Sequence, residues 1–235
     1  MAKRVGLSRN LKLPWLNKTA ELCLEGLSDS EIRDQLNEYL SFEIGSPTNL
    51  RKTREILMNT WVFREDDQKT HRDEGLHLMN MDPDNALPIH WCQMLVTYPV
   101  FADITRLIGK MSEFEDTLST AQIKRKLFDE WGERTTLHHS ADKLLATLKA
   151  MDAIEPLKTG IYIIKKHPIR DKNVIHYLLW TMMTIYQRDY YSFNDLLSPP
   201  FMFPFIYQIK KEDILSDSRF ALNSFGGELT IGLKH

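Results

Sequence analysis

Residues 119–167 read STAQIKRKLFDEWGERTTLHHSADKLLATLKAMDAIEPLKTGIYIIKKH, and the rhythms in this stretch leave few folds open. Ile123, Leu127, Phe128 and Trp131 recur at i, i+4, i+5 and i+8, one stripe of a 3.6-residue period. Ser119 or Thr120 stands where an N-cap belongs, and Gly132 where the helix must stop. After the polar turn 133–135, Leu137, Ala141, Leu144, Leu145 and Leu148 mark the inner face of a second helix, with Thr135 or Thr136 as its cap. His138, His139, Lys143 and Thr147 fall on its outer face. Two short runs, 153–157 and 161–166, then flank Lys158-Thr159-Gly160, where glycine supplies the positive φ of a hairpin turn. Helix, short turn, helix and hairpin in this order predict a winged helix-turn-helix, with the hairpin as the wing.

In that fold the second helix lies in the major groove, its leading residues against base edges, while neighbouring elements touch phosphates. The residues so placed are Arg134, Thr135, Thr136, His138, His139 and Lys143 for bases or backbone. Lys124, Arg125, Lys126, Lys165 and Lys166 are placed for phosphates. Residues 119–170 hold ten Lys/Arg against six Asp/Glu, whereas the whole chain has a net charge of −2. Basic charge is therefore concentrated here, and the expected partner is double-stranded DNA, bound with strong salt dependence.

Residues 14–63 predict a small helical unit. Pro14 and Trp15 open a helix with Leu16, Ala20, Cys23 and Leu24 inward, ending at Gly26. Ser28-Asp29-Ser30-Glu31 is a capping box for the next, with Ile32, Leu36 and Tyr39 or Leu40 inward. Ser46-Pro47 starts a third helix holding Leu50, Ile56, Leu57 and Trp61. Asn49, Arg51, Lys52 and Arg54 cluster near its start, and such a cluster either grips phosphates or forms a solvated face. Residues 64–84 turn polar, as a solvated helix or a hinge, and the turn-rich NMDPDN marks a boundary.

Residues 87–114 are apolar with one interruption, Pro99, which predicts two packed helices near 87–97 and 99–112. Asn173 to Gln187 is uncharged over fifteen residues. It is too short for a spanning helix, which needs about 20 apolar residues, and reads as a buried one. A short helix capped by Ser192 follows. In SPPFMFPF, Pro199, Pro200 and Pro204 predict an extended path anchored by Phe201, Phe203 and Phe205, either packed or exposed as a patch for a partner. RFALNSF and ELTIGLK around Gly226-Gly227 predict a terminal β-hairpin. The expected class is mainly α, in three parts: a helical unit over 1–84, a winged helix-turn-helix over 85–172, and a buried helix, proline-rich segment and hairpin over 173–235.

Catalytic patterns do not emerge. No phosphate-binding glycine loop, GxSxG or HExxH is present, which disfavours nucleotide-dependent enzymes and points to a protein without cofactor or metal. His71 and His77, six apart, fall on nearly opposite sides of a helix and make a poor metal pair. Cys23 and Cys92 have no CxxC partner and suit a reducing cytoplasm as small buried hydrophobes. The N-terminus has basic residues but no apolar run behind them, so no secretory signal is expected. Two further functions fit parts of the chain: a protein-interaction adaptor using the winged domain and the three phenylalanines, and, ranked last, a metal-dependent nuclease built on Asp152, Glu155 and Lys158.

The order of parts is a helical N-terminal unit, HWCQMLVTYPVFADITRLIGKM, the stretch STAQIKRKLFDEWGERTTLHHSADKLLATLKAMDAIEP, and a proline-rich hairpin tail. In size and order it resembles the small helical A components of BREX phage-defence systems. The resemblance implies a cytoplasmic accessory protein without its own catalysis, which binds double-stranded DNA and works beside other defence proteins. It supplies no binding residues, so those named above rest on helix-turn-helix geometry alone.

Overall fold

Proline, glycine and side-chain caps set the helix boundaries of this mainly α chain, seen here in a computed structural model describing residues 6–63, 66–186, 188, 190–225 and 228–234. Helix α1 (Leu13–Leu24) carries Pro14 in its first turn, where a missing N–H costs nothing, and the chain leaves it through Gly26 at φ +72°. In α2 (Asp29–Ser41) the Ser28 side chain accepts from the Glu31 amide while the Glu31 carboxylate accepts from the Ser28 amide. Ser46 caps α3 (Pro47–Trp61) by accepting from the Asn49 amide. Leu16, Ala20, Ile32, Leu36, Leu40, Ile56, Leu57 and Trp61 bury the shared face of these three helices. Leu24, expected inward, is 42% exposed, because α1 ends there and offers it no following turn to pack under.

The polar stretch after α3 forms α4 (Asp66–Met81), with Arg64 and Glu65 outside the described residues. It is not a solvated helix all round, since His71, Leu78 and Met79 are buried. A 3-10 turn (Pro83–Asn85) leads into α5 (Ala86–Thr97), and Tyr98-Pro99 breaks the chain into α6 (Pro99–Ser112). Helix α5 is buried on nearly every side because α3, α4 and α6 surround it, together with α9 (Lys172–Tyr186), the uncharged helix read from sequence. Gln187, placed at its end, lies outside the described residues.

Between α6 and α9 come β1 (Leu118–Ser119), α7 (Thr120–Trp131), α8 (Thr135–Ala150), β2 (Ile154–Lys158) and β3 (Ile161–Ile164). The strands form an antiparallel sheet in the order β1-β3-β2. Gly132 at φ +74° ends α7, and Gly160 at φ +71° turns the hairpin. One predicted cap holds in position only, and the other is corrected. Ser119 is the N-cap residue of α7, but it also pairs with Ile161 of β3 as the end of β1, and its side chain makes no cap bond. The N-cap of α8 is Arg134, which leaves Thr135 and Thr136 as the first helical residues rather than caps.

Beyond β4 (His167–Pro168) and α9 the chain forms β5 (Tyr191–Ser192), α10 (Phe193–Leu197), a 3-10 turn (Pro200–Met202), β6 (Phe205–Ile206), α11 (Lys211–Leu215), β7 (Phe220–Phe225) and β8 (Glu228–Leu233). Strands β4 and β6 pair in parallel, and the terminal hairpin takes β5 as a third strand in the order β5-β8-β7. Its expected Gly226-Gly227 turn lies outside the described residues.

The proline-rich segment departs from the extended path expected of it. Pro199 precedes a 3-10 turn and Pro200 opens it, because a φ fixed near −65° suits the first position of a helical turn. Phe201, Phe203 and Phe205 are all buried, so the exposed aromatic patch is ruled out and packing is their role. Buried apolar side chains from α1 to β8 form one continuous cluster.

One buried histidine ties three helices together. Trp61 on α3 donates its indole N–H to His90 Nδ1 on α5 at 3.0 Å, and His90 Nε2 faces Asn17 Oδ1 on α1 at 2.7 Å. Only the neutral imidazole meets both partners, since Nδ1 must accept and Nε2 donate. Burial pushes its pKa down to about 3. An unfolded histidine titrates near 6.5. Below that pH the unfolded chain takes a proton the folded chain refuses, so stability falls as pH drops from 6.5 toward 3. Between pH 7 and 5 this site should cost about 2 kcal/mol. Urea unfolding at both pH values should show a shallower loss in His90→Gln, and an equal loss would mean that His90 does not titrate on unfolding.

Candidate nucleic-acid interface

Helix α8 turns Leu137, Ser140, Ala141, Leu144, Leu145 and Leu148 inward. Thr135, Thr136 and His139 are exposed on the opposite side, with Lys143 half-buried beside them. At 100° per residue, positions 135, 139 and 143 follow one another along a single stripe. The stripe also holds Asp142, whose carboxylate is engaged by Lys124 from α7 at 2.5 Å.

The other predicted contacts on α8 are turned to structural use. Arg134 is half-buried and donates to the Trp131 carbonyl at 3.2 Å, bracing the α7–α8 turn. The His138 ring lies 4.1 Å from that of Phe128, and its Nε2 faces Glu133 at 3.0 Å. Thr147 was expected on the outer face but is fully buried. Its hydroxyl donates to the Lys143 carbonyl and accepts from the Leu11 amide, both at 2.9 Å, because residues 7–12 cross α8 at this point.

The lysines and arginines divide in the same way. Arg125 and Lys126 are exposed on α7 and make no ion pair among the described residues. Lys124 is held by Asp142. Lys165 pairs with Asp152 at 2.8 Å, and that hydrogen bond raises its pKa. Lys166 donates to the Phe203 carbonyl at 2.7 Å, and burial pushes its pKa down. It fastens the proline-rich segment, although the residue as a whole remains exposed. Near the start of α3, Arg51 and Lys52 are exposed. Arg54 is instead held against α2, donating to Asn37 at 2.8 Å and pairing with Glu55 at 2.5 Å. Of the fourteen candidates, the set whose side chains hold no hydrogen bond or ion pair among the described residues is Thr135, Thr136, His139, Lys143, Arg125, Lys126, Arg51 and Lys52.

Two cations stand outside the DNA-contact set read from the sequence, where Lys158 figured only in the hairpin turn and the nuclease alternative. Lys158 stands exposed beside the hairpin turn, where Leu157 bulges from the β2–β3 ladder. Arg9 lies in the segment that crosses α8, and no periodicity marks that segment except Leu7 and Leu11, both wholly buried.

Of the nuclease candidates, Asp152 is already engaged by Lys165. It sits at φ +59° in the turn after α8, a conformation aspartate tolerates. Among the described residues no three His, Cys, Asp or Glu side chains come together as metal ligands would. A cleft of about 570 Å³ does open between α4, α6 and α9, beside His71, Asp103, Arg106 and Tyr186. Its charged groups are already engaged: Arg106 bridges Asp103 at 3.5 Å and Glu130 at 2.5 Å. His71 Nε2 meets Thr181 Oγ1 at 2.7 Å, but that hydroxyl donates to the Tyr177 carbonyl, so His71 does not act on it as a base. Tyr177 and Gln93 close the network on the other ring nitrogen. Burial lifts the Cys92 thiol to about 12, which keeps it protonated and inert.

No protein-family model matches the sequence, and no curated protein matches it. A solved structure similar to this chain is that of an uncharacterized protein from Magnetospirillum magneticum, at 17% identity and a TM-score of 0.47, covering 78% of this chain and 95% of the other. Among the described residues no helix is long and apolar enough to cross a membrane.

Proposed function

We propose that this chain is a non-enzymatic protein that binds double-stranded DNA through α8, supported by α7 and the β2–β3 hairpin, in the manner of a winged helix. The observation that carries this reading is the combination of element order and free polar groups. Helix α6, β1, α7, α8, β2 and β3 follow one another with the sheet order β1-β3-β2. On that frame Thr135, Thr136 and His139 are exposed at the leading end of α8, with Lys143 beside them. Arg125 and Lys126 on α7 and Lys158 at the hairpin tip are exposed where phosphates would flank an inserted helix. The resemblance in part order to the BREX A components supports a place as a cytoplasmic accessory of a phage-defence system, acting beside other defence proteins.

The test is a fluorescence-anisotropy titration against labelled duplexes of unrelated sequence. Contact with about four phosphates predicts that raising salt from 50 to 200 mM weakens binding roughly 100-fold. Arg125→Glu with Lys126→Glu should weaken it at least about tenfold at low salt, since each change removes one attraction and adds one repulsion. Lys124 is left in place because its charge is already paired with Asp142. An affinity indifferent to salt and to the double change, or no binding at micromolar protein, would overturn the proposal.

A further inference from the structure

The starts of α3 and α8, at Pro47 and Thr135, are 88 residues apart in sequence, and residues 8–11 connect the start of α3 to the last turn of α8. Arg9 Nε donates to Asn49 Oδ1 near the start of α3 at 3.1 Å. Two residues later the Leu11 amide donates to Thr147 Oγ1 on α8 at 2.9 Å, one helical turn past Lys143. Leu7 and Leu11 are wholly buried, so this strap is anchored at both ends. Two residues of backbone span at most about 7 Å. Adding one arginine side chain, the step from α8 to α3 is well below the ~34 Å of a duplex turn.

Along this path the cations Arg9, Arg51 and Lys52 have no carboxylate partner among the described residues. Arg9 bonds only to neutral oxygens, those of Asn49 and Ser8, so its charge is uncompensated among the described residues. A guanidinium has five N–H donors, and two of Arg9's are used here. Lys52 stands exposed about one helical turn from Asn49 and Arg51 two residues from it, and neither has an ion pair among the described residues. The nearby carboxylates are spent elsewhere: Glu43 pairs with Lys12, and Glu55 pairs with Arg54.

We infer that the strap joins the start of α3 to α8 as one surface for a single duplex, with Arg9, Arg51 and Lys52 gripping phosphates beyond the reach of the winged unit. This rests on the DNA-binding reading above and assigns the N-terminal helices a share of the same ligand. A duplex of about 10 base pairs fills the winged unit alone, whereas about 24 base pairs, more than two turns, reaches the strap as well.

The experiment titrates the full chain with 10- and 24-base-pair duplexes at low salt. Arg51→Glu with Lys52→Glu should weaken the 24-mer at least about tenfold and the 10-mer less than about twofold, and should lower the salt slope on the 24-mer by about 2. Arg9→Glu should act in the same direction and Arg9→Lys much less, with thermal melts confirming that each variant folds. Equal effects of the double change on both lengths, or none on either, would overturn the inference while the DNA reading stands. If the wild-type chain binds neither duplex, both fall, and that outcome is distinguishable from the first.

Discussion

Gly109→Ala is expected to cost at least about 3 kcal/mol and to lower the melting temperature by roughly 10 °C. A Cβ at this position would stand 2.0 Å from the Pro200 carbonyl oxygen and 2.7 Å from Pro200 C and Cα. All three are backbone atoms, so no rotamer change relieves the clash; α6 and the 3-10 turn must move apart. Alanine would return about 1 kcal/mol of helix propensity, which the overlap exceeds. Gly45 is the matched control, because a Cβ there meets nothing within 4 Å, and Gly45→Ala should be neutral or slightly stabilising. Urea unfolding of both variants decides the matter. A Gly109→Ala protein as stable as the parent would mean that α6 does not rest on Pro200.

Trp91→Ala should be as damaging from the other side of the same contact. Trp91 is wholly buried, with Phe101, Phe203 and Phe205 edge-on to its ring at 5.0, 5.4 and 5.5 Å. Its indole N–H donates to the Phe201 carbonyl at 2.9 Å. Removing the ring costs about 3–5 kcal/mol in lost burial and cavity. The orphaned carbonyl adds about 1–3 kcal/mol unless water reaches it. Trp91→Phe separates the two effects, since it keeps most of the apolar contact and loses the hydrogen bond, so about 1–2 kcal/mol should go. If both variants unfolded at the parent's urea midpoint, the phenylalanines would not be anchored on α5.

These two sites explain why the proline-rich segment resisted sequence reading. Three phenylalanines alternating with prolines are equally consistent with a buried anchor and an exposed patch. Trp91, which decides between them, lies 110 residues away from the carbonyl it binds. The parallel pairing of β4 with β6 left no trace for the same reason, being two residues long and bridging distant segments. The candidate interface shows the problem again. Lys124, Lys165 and Arg54 look like Arg125 and Lys126 in sequence, and only folding brings Asp142, Asp152 and Asn37 against them.

What the sequence determined by itself is where elements begin and end. The Ser28–Glu31 box, the Tyr98-Pro99 break, Gly132 after α7 and Gly160 in the hairpin all act through torsions and hydrogen bonds within about four residues. Such signals need no tertiary context. The tertiary structure decided which charges remain free and which polar groups are buried, as when Leu11 crosses α8 and takes Thr147 out of solvent. Burial and ion pairing depend on what the rest of the chain brings to a surface, and a one-dimensional pattern does not contain that.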